Sequence, residues 1–333
     1  MSLSRRAFLS VVGSTLMLAT CQRQPPPTRQ PPRTTAQPTA ATATSVTPQR
    51  TPVAQHVAPR YSFAAFADRV HIYTDENTLY IESNGIPDHP MMIGIRSWQQ
   101  QVPMPQQYTG TNAWQLPLQP QLAETPISAA SALYRGAIAI AANGIPIFNA
   151  LNNRGEDALL AGELDEWGGH CGQGDDYHYH VAPLHLQAIV GANNPFAYAL
   201  DGLPIYGERE PDGSPMQALD EYNGHFDANG DYHYHGTTTY PYINGGLRGV
   251  VTVRDDQIEP QPHIHPVRPP QQPLPGARIT DFQTVADNSY LLTYTRDGAT
   301  HTVAYTRDGD TYTFVFTDAT GNSTSQTYRM PPP

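Results

Sequence analysis

The feature of this sequence that most constrains its fold is a motif that occurs twice. The first copy covers residues 164–180 and the second covers residues 219–235, and 10 of the 17 aligned positions are identical. Such a close internal repeat indicates a duplicated supersecondary unit. Each copy contains a Gly-His pair and ends in Tyr-His-Tyr-His. We therefore expect two related halves, each of which presents histidines.

The repeat extends upstream of the histidines. Asn143-Gly144 and Asp201-Gly202 each precede an apolar pair, and such dipeptides mark turns. Residues 133–142 form an apolar run that is typical of a strand, whereas residues 157–166 and 215–221 predict short helices that end at glycine. The predicted fold class is mainly β, a β-rich α+β core with an internal duplication and short helices.

The paired histidines predict a transition-metal site. Side chains alternate between the faces of a strand, so the two histidines of each Tyr-His-Tyr-His share one face and can bind one ion. Two such strands related by a pseudo-twofold would bring four histidines together in a site between the repeats. The predicted ligands are His178, His180, His233 and His235, with His170 and His225 as added ligands, as a second set or as proton carriers.

Asp176 and Asp231 precede the two strands and are predicted to accept hydrogen bonds from imidazole N–H groups, or to be ligands themselves. Copper, iron and zinc all accept imidazole, and the Irving–Williams order favours copper in an unselective site. The expected cofactor is one of these three metals. Cys171 is expected to be a buried thiol, since Phe226 replaces it in the second copy.

Three functions fit this pattern. The first is metal binding alone. The second is a redox or hydrolytic metalloenzyme, in which an open coordination position is required and Glu166 or Glu221 acts as a base. The third is a non-catalytic surface module in which histidines and tyrosines form a structural hydrogen-bond network. For the tyrosines, packing with hydroxyls at the edge is favoured over metal ligation.

The N-terminus predicts export. Residues 1–21 combine a twin-arginine pattern at Arg5 and Arg6 with a short apolar run, and they end in a lipoprotein-type box at Cys21. Residues 22–60 are rich in Pro, Thr and Gln and are expected to form a disordered tether. The expected location is extracytoplasmic, periplasmic or cell-surface, with the chain held on a membrane through a lipid on Cys21.

Composition and sequence patterns limit the possible chemistry and partners of the protein and predict its remaining domains. It contains no lysine, which excludes Schiff-base chemistry, and its formal net charge of −11 argues against nucleic acid as a partner. The duplicated domain is assigned to residues 61–250 and a Pro-rich linker to residues 251–276. Residues 277–333 alternate around the turns Asp297-Gly298 and Asp308-Gly309, which predicts a small antiparallel β module.

The doubled Tyr-His-Tyr-His motif, together with the runs that begin at Asn143 and Asp201, resembles the YHYH-domain family. Members of that family are mostly secreted or surface proteins, largely uncharacterised. The resemblance covers roughly residues 70–249 and implies an extracytoplasmic protein with a His-rich site. It implies no particular reaction and no catalytic residues.

Overall fold

The computed structural model describes residues 60–330, and within them the chain is mainly β, as predicted. Helical structure in this part of the chain is limited to two short helices, α1 (Arg60–Ala64) and α2 (Leu186–Val190), and one 3-10 turn at Gly110–Asn112. All described residues belong to one compact unit. No helix among them is long and apolar enough to span a membrane. The predicted signal, Cys21 and the predicted tether up to residue 59 lie outside the described residues.

A three-stranded antiparallel sheet opens the described chain. It contains β1 (His71–Thr74), β2 (Thr78–Glu82) and β3 (Trp114–Pro117). The β1–β2 hairpin turns at Asp75, whose carboxylate accepts the N–H groups of Asn77 and Thr78 at 2.9 and 2.8 Å. The next strand, β4 (Leu122–Ser128), pairs with a later strand, Gly246–Gly249.

The duplicated region forms one eight-stranded sheet. The first half contains β5 (Ala137–Ala141), β6 (Pro146–Phe148), β7 (Gly169–Cys171) and β8 (Tyr177–Tyr179). The second half contains β9 (Ala197–Ala199), β10 (Pro204–Tyr206), β11 (Gly224–Phe226) and β12 (Tyr232–His235). The order across the sheet is β11-β12-β10-β9-β5-β6-β8-β7, so one half is the mirror sequence of the other. The duplication in sequence is a duplication in topology.

The two halves meet at the antiparallel pair β5–β9, where Ile140 lies opposite Tyr198. Every residue of β5 and β9 is buried, which explains the uninterrupted apolar run of the first of these strands. Asn143 and Asp201 then form equivalent turns, and the side-chain oxygen of each accepts the N–H two residues on. Gly144 has φ +78°, and a Cβ there would lie 2.6 Å from Cβ of Ser83, so only glycine fits.

This strand order contradicts the expectation of one site shared by the repeats. Strands β8 and β12 carry the two His-x-His pairs, and four strands separate them. Five steps of about 4.8 Å place these strands roughly 24 Å apart along the sheet. The pseudo-twofold axis lies between β5 and β9, at the centre of the sheet. The two histidine strands therefore lie near opposite edges and do not meet.

The short helices predicted for residues 157–166 and 215–221 are also absent, since residues 158–162 form turns and residues 216–220 have no regular structure. After Asp157 the chain completes one turn, with the N–H of Ala161 donating to the carbonyl of Asp157 at 2.9 Å, and Gly162 at φ +72° then ends it. The matching stretch of the second repeat begins at Pro215, which bridges to Arg209.

The C-terminal region contains the predicted antiparallel module. After β13 (Gly246–Gly249), residues 251–276 include a hairpin, β14 (Thr252–Arg254) with β15 (Gln257–Glu259). The module follows as a five-stranded sheet in chain order: β16 (Arg278–Ala286), β17 (Ser289–Arg296), β18 (Ala299–Asp308), β19 (Thr311–Thr317) and β20 (Ser323–Arg329).

Arg268 joins this sheet to the duplicated region. Its guanidinium forms a buried ion pair with Asp175, with Nε–Oδ2 at 2.7 Å, and lies 4.6 Å from the ring centre of Phe314. Asp175 lies two residues before β8, so the C-terminal sheet packs beside the loop that leads into the first His-x-His strand. The module therefore supports the edge of the duplicated sheet.

Candidate metal centres

Each half-sheet gathers its own three histidines. In the first half, antiparallel β7 and β8 place His170 directly opposite His178; in the second, β11 and β12 place His225 opposite His233. The third histidine lies two residues further along and therefore on the same face. We call His170, His178 and His180 site 1, and we call His225, His233, His235 and Glu210 site 2.

In site 1 the three Nε2 atoms converge. Nε2 of His180 lies 3.1 Å from Nε2 of His170 and 3.2 Å from Nε2 of His178. Two nitrogens bound at about 2.0–2.1 Å to one tetrahedral ion are roughly 3.3 Å apart. The spacing of these nitrogens is therefore that of ligands around a single metal ion.

The outer nitrogens of site 1 are tied to backbone carbonyls. Nδ1 of His178 donates to the carbonyl of Asp176 at 3.0 Å, Nδ1 of His180 donates to that of Asn149, and the backbone of Glu163 hydrogen-bonds His170. These bonds fix the tautomer that leaves the Nε2 lone pairs facing one another. The carboxylate of Asp176 also lies 3.3 Å from Nδ1 of His178, the position predicted for it.

Site 2 repeats this arrangement. Nε2 of His235 lies 3.2 Å from Nε2 of His225 and 3.1 Å from Nε2 of His233. Nδ1 of His225 donates to the carbonyl of Phe226 at 3.1 Å, and Nδ1 of His235 donates to that of Gly207 at 2.6 Å. Gly207 occupies the place that Asn149 has in site 1, 58 residues earlier, so the support of the third histidine is duplicated as well.

Glu210 distinguishes site 2 from site 1. Its two carboxylate oxygens lie 3.1 Å from Nε2 of His225 and 3.1 Å from Nε2 of His233. Among the residues that the structure describes, no carboxylate joins the converging group of site 1, since Asp176 lies on the Nδ1 side of His178. Glu210 was not among the residues predicted from the sequence, because it lies outside the duplicated motif and has no acidic counterpart in the first repeat. The one available signal was its loop position, shortly after the second Asp-Gly turn.

The residue that corresponds to Glu210 in the first repeat is Asn152. The N–H of Asn152 donates to Glu156 O at 2.8 Å, and the N–H of Glu210 donates to Ser214 O at 3.1 Å in the matching turn. The side chain of Asn152 does not supply a ligand, because its amide contacts the Glu163 carboxylate at 3.3 Å. Glu163 in turn is paired with Arg154. The position that carries the fourth ligand of site 2 is therefore engaged elsewhere in site 1.

Burial lowers the pKa of a histidine in each site. Burial, together with His178, lowers the pKa of His180 to about 3, and burial and its neighbouring histidines lower the pKa of His233 to about 4. Burial disfavours ionisation of Glu210, but the hydrogen bond from Gln217 and the nearby imidazoles outweigh it and lower the pKa of this carboxyl. Imidazoles that are neutral beside an ionised carboxylate are the protonation states that a metal ion requires.

The two sites differ in their access. A cavity of about 470 Å³ is lined by all three histidines of site 1 and by none of the ligands of site 2. Burial does not distinguish the sites, since His178 and His180 are 3% and 4% exposed and His233 is 4% exposed; the difference in access is the cavity beside site 1. Three protein ligands beside a cavity are typical of catalytic zinc sites, and four ligands in a closed shell are typical of structural ones.

The tyrosines of the motif lie on the opposite face of their strands and build the core. The hydroxyl of Tyr177 donates to Asp165 at 2.8 Å, that of Tyr232 to Asp220 at 2.9 Å, and that of Tyr234 to Asp201 at 2.6 Å. Burial, together with the neighbouring carboxylates, raises the pKa of these phenols. The tyrosine face thus forms a hydrogen-bonded network with aspartate side chains.

The remaining candidates lie outside both groups. Glu166 and Glu221 are exposed and belong to neither group. Asp231 lies at the end of a turn in which its N–H donates to Asp227 at 2.9 Å. Cys171 is buried, and burial raises the pKa of its thiol well above the usual value, as expected for a packed residue.

Comparison with known proteins supports the family resemblance. Residues 113–217 match the model of the family described as YHYH protein, so this part of the chain is similar to that family. The match covers site 1 with its Tyr-His-Tyr-His strand and ends before the histidines of site 2. Neither the curated proteins nor the solved structures give a match to this chain.

Proposed function

We propose that this protein binds two transition-metal ions, one in each half of its eight-stranded sheet. The observation that carries the proposal is the convergence of three Nε2 atoms at 3.1–3.2 Å in each half. Imidazole nitrogens packed this closely direct lone pairs towards one another, which is costly unless a cation lies between them. The ligands are nitrogen and oxygen, which suit zinc, iron or copper(II).

The proposal is tested by elemental analysis of the full chain, purified in detergent without chelators or a polyhistidine tag. We expect two metal ions per chain in the wild type and one in each of the double variants His178→Ala/His180→Ala and His233→Ala/His235→Ala. Combining the four substitutions abolishes binding. A folded wild type without metal, even after reconstitution with zinc, iron and copper, would overturn the proposal. The histidines would then be structural, as in a non-catalytic surface module.

We further propose that the chain acts outside the cytoplasm, held on a membrane by a lipid on Cys21. The support is the twin-arginine pattern and the box ending at Cys21, together with the similarity of residues 113–217 to a family of mostly exported proteins. Membrane fractionation tests this. Cys21→Ser should move the protein from the membrane to the soluble extracytoplasmic fraction, and Arg5→Lys/Arg6→Lys should retain it in the cytoplasm.

A further inference from the structure

Site 1 lacks the carboxylate that site 2 has, because one residue differs between the two repeats. Where site 2 has Glu210, site 1 has Asn152, whose amide is directed to Glu163. An ion held by His170, His178 and His180 would therefore keep a free coordination position. All three side chains line the 470 Å³ cavity, so this position faces a space large enough for a small molecule.

The cavity wall contains buried hydrogen-bond donors without acceptors. Tyr108 is 1% exposed and Trp114 is 2% exposed, and both side chains line the cavity. Neither the Tyr108 hydroxyl nor the Trp114 Nε1–H has a hydrogen-bond partner among the described residues. A buried donor that lacks an acceptor costs about 1–3 kcal/mol, so an unsatisfied pair points to a ligand that supplies acceptor oxygens.

The charges of the cavity favour an anion. Its carboxylates already have partners: Glu163 is paired with Arg154, and Asp176 accepts the N–H of Gly174 at 3.1 Å and lies beside His178. Arg135 lines the cavity and forms no ion pair with any residue between 60 and 330. A divalent ion held by neutral imidazoles adds further positive charge.

We propose that site 1 is the reactive centre of this protein and binds a small carboxylate, whose oxygen takes the free position on the metal ion while Tyr108 and Trp114 donate hydrogen bonds to the bound molecule. Site 2, closed by Glu210, is structural. This inference rests on the proposed metal binding and adds to it the ligand class and the division of roles between the two sites.

Cobalt(II) makes the inference measurable, because its visible absorption reports a change of ligand. The full chain is loaded with cobalt and titrated with acetate, and with acetamide as the neutral control of the same shape. His233→Ala/His235→Ala isolates site 1, and its spectrum should shift with acetate but not with acetamide. His178→Ala/His180→Ala isolates site 2, and its spectrum should respond to neither.

Two substitutions sharpen the test within site 1. Asn152→Glu introduces the site 2 ligand, so cobalt should stay bound while the acetate response is lost. Tyr108→Phe removes a donor and should raise the acetate dissociation constant about tenfold. The matched control is Tyr134→Phe, because Tyr134 also lines the cavity but its hydroxyl already donates to Ala130 at 3.1 Å.

The outcomes separate the two proposals. If cobalt binds to both sites but acetate leaves the site 1 spectrum unchanged, or if acetamide or site 2 responds equally, the inference is overturned while metal binding stands. If neither site takes up cobalt in a folded chain, both proposals fail.

Discussion

The two halves of the eight-stranded sheet share a backbone and differ in the coordination that they offer. Both place three histidines on the outer pair of strands, and both tie the third histidine to a carbonyl at the same point of the repeat. Only the second half adds a carboxylate, Glu210, and only the first borders the large cavity. If each half binds an ion as proposed, the carboxylate adds a fourth ligand in the second half only, and the cavity gives access to the first half only.

The largest expected effect is the loss of metal from one half at a time. A ligand at about 1,000 times its dissociation constant stabilises the folded state by about 4 kcal/mol. Each double histidine variant should therefore lose roughly that much stability in saturating metal, as followed by urea unfolding. With a chelator present, the metal-dependent part of the difference should vanish. Loss of both ions from either variant would contradict two independent sites.

The next effect concerns the ligand that separates the sites. Glu210→Gln replaces a carboxylate that lies 3.1 Å from two imidazoles, and it should weaken metal binding at site 2 about 100-fold, or ~2.7 kcal/mol. The matched variant Asn152→Ala should leave the affinity of site 1 unchanged, because the Asn152 amide contacts Glu163. Competition with a chromophoric chelator measures both. Equal losses at the two sites would remove the distinction between them.

A smaller effect should show that the tyrosine face is structural in both halves. Tyr177→Phe and Tyr232→Phe each remove a hydroxyl that donates to an aspartate, the buried Asp165 or the exposed Asp220, which should cost about 1–2 kcal/mol of unfolding free energy. Metal affinity should not change. Tyr240→Phe, at a residue 47% exposed, is the control and should alter neither quantity. A large loss of metal in Tyr177→Phe would instead assign the phenol to the metal centre.

The smallest effect is the pH dependence of the metal-free protein. The pKa of His180 is lowered to about 3 in the fold, against 6.5 in the unfolded chain, so between these values the unfolded chain binds more protons. Stability should fall as the pH drops through 6.5. From pH 7 to pH 6 one such histidine contributes about 0.7 kcal/mol. Urea unfolding in chelator measures the slope, which His180→Gln should reduce; a slope of opposite sign would contradict burial of neutral imidazoles.

Much of this architecture could be predicted from the sequence. The Asn143 and Asp201 turns, the alternation of Tyr-His-Tyr-His and the Asp-Gly hairpins of the C-terminal sheet are local signals, and the structure confirms the elements they predict. The placement of His170 opposite His178 also follows locally, since a short loop joins two antiparallel strands.

Strand order could not be predicted, because it depends on which edges pair across long distances. The pairing of β5 with β9 fixes the axis of the duplication and separates the two histidine sets, and nothing in the repeated motif encodes it. Glu210 could not be predicted for a related reason, since it lies where the sequences of the two repeats differ. A repeat directs attention to what the copies share, whereas the difference between these two sites depends on Asn152 and Glu210.

The central claim is that the chain holds two separate metal ions, and a copper–copper distance tests it most directly. The full chain reconstituted with copper(II) can be measured by pulsed electron paramagnetic resonance. Each ion would lie between the two outer strands of its half, so about six strand spacings predict a distance of roughly 29 Å, with a spread of a few ångströms from sheet twist. The distance should vanish in His233→Ala/His235→Ala. A strongly coupled pair within about 5 Å, or a single copper per folded chain, would contradict the account.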